Sequence, residues 1–175
     1  VESREDAYLL DPQLRGLSVK VRGGRALEVK VYRGSPGILD LAGRAVGRMQ
    51  DWEKWSFPCS PTDRGGVTAG WQPVRKKRRI SRFCSASGPV TGHALGPCDE
   101  PHCEVELTDI RTSGQDWWTL GFEATGPADL LQSQLQAIAA LVFAQPIPGG
   151  VEAGPRESRS YSEWLGQRPG NESDA

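Results

Sequence analysis

Apolar and polar residues alternate along much of this chain, and a period of two predicts strands. At residues 17–22 (LSVKVR), Leu17, Val19 and Val21 share one face and Ser18, Lys20 and Arg22 the other. Residues 27–32 (LEVKVY) repeat the pattern, with Leu27, Val29 and Val31 opposite Glu28, Lys30 and Tyr32. Gly23-Gly24 is a turn signal, so the two segments predict a hairpin. Residues 3–10 permit a short strand ended by Asp11-Pro12, and residues 52–57 (WEKWSF) another. Residues 103–110 (CEVELTDI) set Val105 and Leu107 against Glu104, Glu106 and Thr108. Residues 117–125 (WWTLGFEAT) set Trp118, Leu120, Phe122 and Ala124 against Trp117, Thr119, Gly121, Glu123 and Thr125. A turn over 112–115 joins them as a second hairpin. After Gly126-Pro127 the period changes: Leu131, Leu135, Ile138 and Val142 recur at helical spacing, and Pro146 and Pro148 end the helix. Residues 38–50 predict a short irregular helix, with Arg44 and Arg48 one turn apart.

The stretch 74–83 (VRKKRRISRF) carries six basic side chains in ten residues. As a strand starting near Trp71, it puts Arg75, Lys77, Arg79 and Ser81 on one face and Val74, Lys76, Arg78, Ile80 and Arg82 on the other. A plain reading is a solvated basic edge. The polar faces of the other strands argue for more. Lys20 and Arg22, Glu28 and Lys30, Glu104 and Glu106, and Glu123 bring both signs onto comparable positions. On a flat sheet these are surface ion pairs, each worth little. On a closed sheet they line an interior, where charges need one another, water or a ligand.

Composition narrows the classes. With 175 residues the chain suits one domain, and 21 basic against 22 acidic residues leave a net charge of −1. That balance argues against general nucleic-acid binding, and any anion held by the basic run is expected to be small and enclosed. No apolar run approaches membrane-spanning length, and no secretory segment opens the chain. Four cysteines (Cys59, Cys84, Cys98, Cys103) do not make a disulfide framework at this length, which favours a cytoplasmic location. The chain opens on Val1 rather than Met, so the natural N-terminus is expected upstream.

A lumen of Arg and Lys suits phosphate oxygens, and carboxylates beside them suit Mg²⁺ or Mn²⁺ bridging to phosphate. The order LSVKVR, LEVKVY, VRKKRRISRF, CEVELTDI, WWTLGFEAT, then a helix, resembles the CYTH superfamily, the triphosphate tunnel metalloenzymes. These include class IV adenylyl cyclases, thiamine triphosphatases and inorganic triphosphatases. The resemblance spans about residues 3–144. It implies an antiparallel tunnel of eight strands. Lys20, Arg22, Lys30, Lys77 and Arg79 match its phosphate-gripping positions, and Arg75 shares their face. Glu28, Glu104, Glu106 and Glu123 match its metal-holding acids, with Glu104 and Glu106 as catalytic candidates. Arg4-Glu5-Asp6-Ala7-Tyr8 resembles the segment where that family often has Asp-x-Tyr. The family's Glu-x-Glu-x-Lys strand is absent, and its late Glu-x-Glu is here Glu123-Ala124-Thr125. The basic positions are better kept than the acidic ones, which points to a diverged member that binds a phosphorylated ligand without efficient turnover.

Other constellations are weaker. Cys84, His93, Cys98, His102 and Cys103 crowd one Gly/Pro loop, but no Cys-x2-Cys pair gives them zinc spacing. Trp52, Trp55, Trp71, Trp117 and Trp118 suit stacking platforms, though aromatics on strands more often fill a core. Gly23-Gly24 and Gly65-Gly66 lack the residues of a phosphate loop. The prediction is an α+β domain over residues 1–148, an antiparallel barrel-like (tunnel) sheet with a C-terminal helix. A flexible polar tail follows at 149–175, in which residues 161–165 (YSEWL) have the makings of a short docked helix. Its function is expected to be divalent-metal-dependent hydrolysis of a triphosphate or related phosphoanhydride, or binding of a small phosphorylated anion without turnover.

Overall fold

The computed structural model describes residues 1–41, 44–59, 70–84, 101–145 and 153–167. Seven strands and two helices follow one another: β1 (Glu2–Leu9), β2 (Leu17–Arg22), β3 (Ala26–Asp40), β4 (Val46–Pro58), β5 (Trp71–Cys84), β6 (His102–Thr112), β7 (Gln115–Thr125), α1 (Ala128–Val142) and α2 (Tyr161–Gly166). The strands form one antiparallel sheet in the order β4-β3-β2-β1-β5-β6-β7. Two of its hairpins, β2–β3 and β6–β7, are those the alternation predicts. The tight turn before β3 is made by Gly23 and Gly24 at φ 53° and 68°, a backbone region open to glycine.

The sheet curls into a half-barrel. Lys30 on β3 reaches Glu123 on β7 at 3.6 Å, although four strands lie between these two in the sheet. The charged faces turn inward. Asp6, Glu28, Lys76 and Arg78 are all buried, whereas Leu27, Val29 and Val31 on the outer side of β3 are only half-buried. Polar residues lining the interior and apolar residues outside invert the usual sheet.

Residues 38–50 differ from expectation. β3 runs on to Asp40 and β4 begins at Val46, so the segment is a bent hairpin and not a helix. Register shifts between Tyr32 and Gly37 account for the lost alternation. Gly34 and Gly37, at φ 151° and 139°, absorb the bends. Arg44, read as one face of that helix, instead donates to the carbonyls of Phe143 and Ala144 at the end of α1, where a cation complements the helix dipole.

α1 packs on the outer face of β7. Ala139 and Phe143 join Ala45 in a cluster with Leu39, Leu41, Leu120 and Phe122. The half-buried or buried helix positions include Leu131, Leu135, Ile138 and Val142, the four that the period predicts.

The segment expected to be a flexible tail is packed over residues 153–167. Val46 donates to the Ala153 carbonyl at 2.8 Å, and Arg48 grips the carbonyl of Ser158 through Nε and Nη2. Ser160 caps α2 in a reciprocal box with Glu163. The helix then lies inside the half-barrel, with Leu165 in a core cluster with Tyr8, Val74 and Ile110. Tyr161 stacks on Tyr8, and Trp164 meets Trp117 edge-on. The expectation that the strand tryptophans fill the core is corrected: Trp55, Trp117 and Trp118 are exposed, and the barrel core is built by α2 instead. Among the described residues, no helix is long and apolar enough to cross a membrane.

Leu165→Ala is expected to cost about 2–5 kcal/mol of stability, whereas Ser160→Ala costs about 1 kcal/mol through its cap. Urea unfolding monitored by circular dichroism measures both. A loss under 1 kcal/mol at Leu165 would mean that α2 adds nothing to the core.

Candidate functional site

The inner face is assembled by strand phase. On β1, Glu2, Arg4, Asp6 and Tyr8 share it. On β5 the phase is set by Val74, whose side chain is completely buried. Every second residue from Val74 therefore points inward, and these are Lys76, Arg78, Ile80 and Arg82.

This corrects the placement of three predicted ligands. Arg75, Lys77 and Arg79 lie on the outer face, because they have the opposite parity to the buried Val74. Arg75 pairs there with Glu5, and Arg79 with Asp109. An open depression of about 850 Å³ on that outer face includes Arg75, Lys77, Asp109, Arg111, Asp116 and Trp118 in its lining. The inward basic pair is Lys76 and Arg78. The other predicted residues, Lys20, Arg22, Glu28, Lys30, Glu104, Glu106 and Glu123, do share the inner face.

The centre of the site is Asp6. Arg4 Nε lies 3.0 Å from one carboxylate oxygen, while Lys20 Nζ and Lys76 Nζ lie 3.7 and 3.6 Å from the other. The backbone N–H of Gly23 donates to Oδ1 at 3.1 Å, so the β2–β3 turn is tied to the same carboxylate. Around it, Glu28 accepts from Lys20 and Arg22 at 3.0 and 3.2 Å. Arg78 bridges Glu2 and Glu106, and Arg82 pairs with Glu104. Three buried atoms, Arg4 Nε, Asp6 Oδ2 and Arg78 Nε, have no hydrogen-bond partner, which leaves this polar network incompletely satisfied.

Lys76 has an unusual setting. Its Nζ donates to the Tyr8 hydroxyl at 2.8 Å and sits 3.5 Å from the centre of the Tyr161 ring, a cation–π contact with α2. Burial, and then the charge of Lys20, push its ammonium down to about 7 from 10.5. Burial likewise works against the charged forms of Glu28 and Glu106. Lys20 and Arg22 overcome it at Glu28, and Arg78 and Thr108 at Glu106, so both carboxyls fall to about 2.

Among the described residues, no group of three His, Cys, Asp or Glu side chains is placed to hold a metal ion. Glu104 and Glu123 are cross-strand neighbours, but Arg82 and Lys30 respectively hold them. Glu28 and Glu106 likewise give oxygens to Lys20, Arg22 and Arg78, so each predicted acid has a cation beside it. The zinc constellation lies only partly among the described residues. Cys84 is disulfide-bonded, and burial pushes the Cys103 thiol up to about 11; His93 and Cys98 lie outside the described residues. Disulfides are rare in a reducing compartment, so the cysteines no longer favour the cytoplasm.

Several residues of the site escaped the sequence. Arg4, Asp6, Tyr8, Lys54, Lys76, Arg78, Arg82 and Tyr161 all line the interior or its mouth. The signal for Lys76 and Arg78 was present: Val74 and Ile80 share their parity, and apolar neighbours on a strand mark its buried side. No family model, curated protein or solved structure matches this chain.

Glu28 and Glu106, depressed from 4.5 to about 2, stabilise the fold fully above about pH 4.5 and lose that contribution as pH falls toward 2. Lys76 acts oppositely: its buried ammonium destabilises fully below pH 7, and the penalty fades as pH rises toward 10.5. Stability measured by urea unfolding is therefore expected to fall in acid and to climb between pH 7 and 10. Lys76→Met flattens the alkaline climb and leaves the acid limb in place. An unchanged climb in that variant would refute the assignment.

Proposed function

We propose that the half-barrel binds a small phosphorylated anion on the basic side of its inner face and does not turn it over. The observation that carries this reading is a cross-strand pair of like charges. Lys30 and Lys54 stand directly opposite each other on β3 and β4, a like-charge placement that weakens a sheet and that Glu123, 3.6 Å from Lys30, offsets for one of the two. On β2 Ser18 is opposite Lys30, Lys20 is the next inward residue, and Arg22 follows at the turn end. Glu28 pairs with Lys20 and Arg22 and Glu123 with Lys30, while Lys54 adds a fourth basic group to this region.

Arg22 is 43 % exposed and Lys30 29 %, so both are reachable from solvent. A guanidinium offers a phosphate two parallel donors, and the ammonium groups add charge. The resemblance to triphosphate tunnel metalloenzymes supports the same ligand class. Its metal-dependent hydrolysis is not supported by the donor set, because the candidate acids Glu28, Glu104, Glu106 and Glu123 are engaged by cations.

Calorimetric titration with pyrophosphate at low salt tests the reading. Lys30→Ala with Lys54→Ala is expected to weaken binding at least about tenfold, or ~1.4 kcal/mol. Arg75→Ala with Lys77→Ala, on the outer face, leaves it unchanged. Phosphate release from tripolyphosphate in Mg²⁺ or Mn²⁺ would overturn the non-catalytic reading. Equal losses from the inner and outer pairs would overturn the inner-face site.

A further inference from the structure

β4 is an edge of the sheet, and part of that edge is open. Residues 53–58 are all exposed, with Trp55 at 38 % and Phe57 at 51 %. One contact fixes the direction of their backbone groups. The Cys59 N–H donates to the carbonyl of Arg25 at 2.9 Å, and the register continues without a break from Ala26 opposite Pro58 to Tyr32 opposite Trp52. In an antiparallel ladder, hydrogen-bonded and non-hydrogen-bonded pairs alternate. Phe57, Trp55 and Glu53 therefore turn their backbone groups toward β3. Trp52, Lys54 and Ser56 turn theirs outward, and no described residue takes them.

The chain already uses the other end of this edge. Ala45 bridges Ala153, the Val46 N–H donates to the Ala153 carbonyl at 2.8 Å, and the Arg48 N–H donates to the Ser158 hydroxyl at 2.8 Å. Val46 and Arg48 have the parity of Trp52, Lys54 and Ser56, so an incoming strand continues a line that residues 153–158 begin. The side chains narrow the choice of strand. Lys54 points to the inner side, and no described acidic residue pairs with it, while Trp55 and Phe57 point to the outer side. A second copy of the chain fits poorly. Pairing β4 with β4 of another molecule along this stretch sets two Lys54 side chains opposite or diagonal to each other, and like charges so placed weaken a sheet. A lysine on an edge strand guards against self-pairing in this way.

We propose that the open edge of β4 accepts an extended segment of a partner protein as an added strand, with a carboxylate opposite Lys54 and an apolar side chain opposite Trp55. Pairing with the outward backbone groups of Trp52, Lys54 and Ser56 supplies an attraction common to any extended chain, and the side chains select among chains. The acid lies on the inner side with Lys54, and its apolar neighbours lie on the outer side, where Trp55 stands. The charge that repels a second copy attracts an acidic strand, so one residue serves both ends. This docking edge does not depend on phosphate binding.

The experiment is a calorimetric titration of the full chain with the end-capped peptide Ser-Thr-Val-Glu-Val-Thr-Ser. The same peptide with lysine in place of glutamate is expected to bind at least about fivefold more weakly. Lys54→Glu is expected to reverse that order, with circular dichroism to check its fold; should it fail to fold, the peptides carry the test on the native chain. Methylating the backbone nitrogen of the peptide's glutamate removes the donor to the Lys54 carbonyl and is expected to weaken binding about tenfold or more. Methylating the next valine, whose N–H points away from β4, is expected to change affinity less than about twofold. Equal effects of the two methylations would mean that Lys54 holds the glutamate by its side chain alone, and would overturn the added strand. Absence of binding at about 1 mM peptide would overturn it too. A concentration-dependent dimer in sedimentation, dispersed by Trp55→Lys, would make a second copy the occupant and overturn the partner. Pyrophosphate enters none of these measurements, so failure of the anion site and failure of the edge are told apart.

Discussion

The buried carboxylate of Asp6 is the interaction on which the rest depends. It has no exposed surface, and an isolated ionised carboxylate in such a place would be too costly to keep. Arg4, Lys20 and Lys76 come to it from three adjacent strands, and the Gly23 N–H comes from the turn between β2 and β3. Each of those cations is itself largely buried and needs Asp6 as much as Asp6 needs it. Losing one member would leave the others uncompensated, and such losses are typically severe. The register of β1 against β2 and β5 is thereby fixed by charge in the interior, a task usually left to apolar packing.

That inversion explains which parts of the fold were legible in the sequence. Alternation reports a strand whichever side is buried, so the two hairpins at β2–β3 and β6–β7 stand out. It does not say which side is inside when one face is charged and the other apolar. For β2, β3, β6 and β7 the polar side was read as interior, and it is. For β5 both sides carry cations, and the phase had to come from Val74, one small apolar residue among six basic ones. The family-like pattern favoured Lys77 and Arg79, while packing favours Lys76 and Arg78.

The other departures have local causes. Residues 38–50 follow the two register shifts at Gly34 and Gly37 and include the turn of a long hairpin, so neither period stands out there. Gly34 and Gly37 are the residues that disguise a strand as something irregular. Residues 153–167 look like a polar tail because their composition is that of one. Their order comes from partners distant in the chain, such as Arg48 for Ser158 and Gln50 for Glu163, which no window of local sequence contains.

The position of α2 also has a consequence in time. Tyr8 and Leu165 belong to one core cluster, so the interior is finished by joining β1 to a helix far along the chain. Contacts so far apart along a chain form late, and folds rich in them are slow. During synthesis the early strands wait, with their inner charges hydrated, until the closing segment leaves the ribosome. A nascent chain stopped before that point has hairpins but no sealed centre, and its open edges are then most vulnerable to pairing with a neighbour.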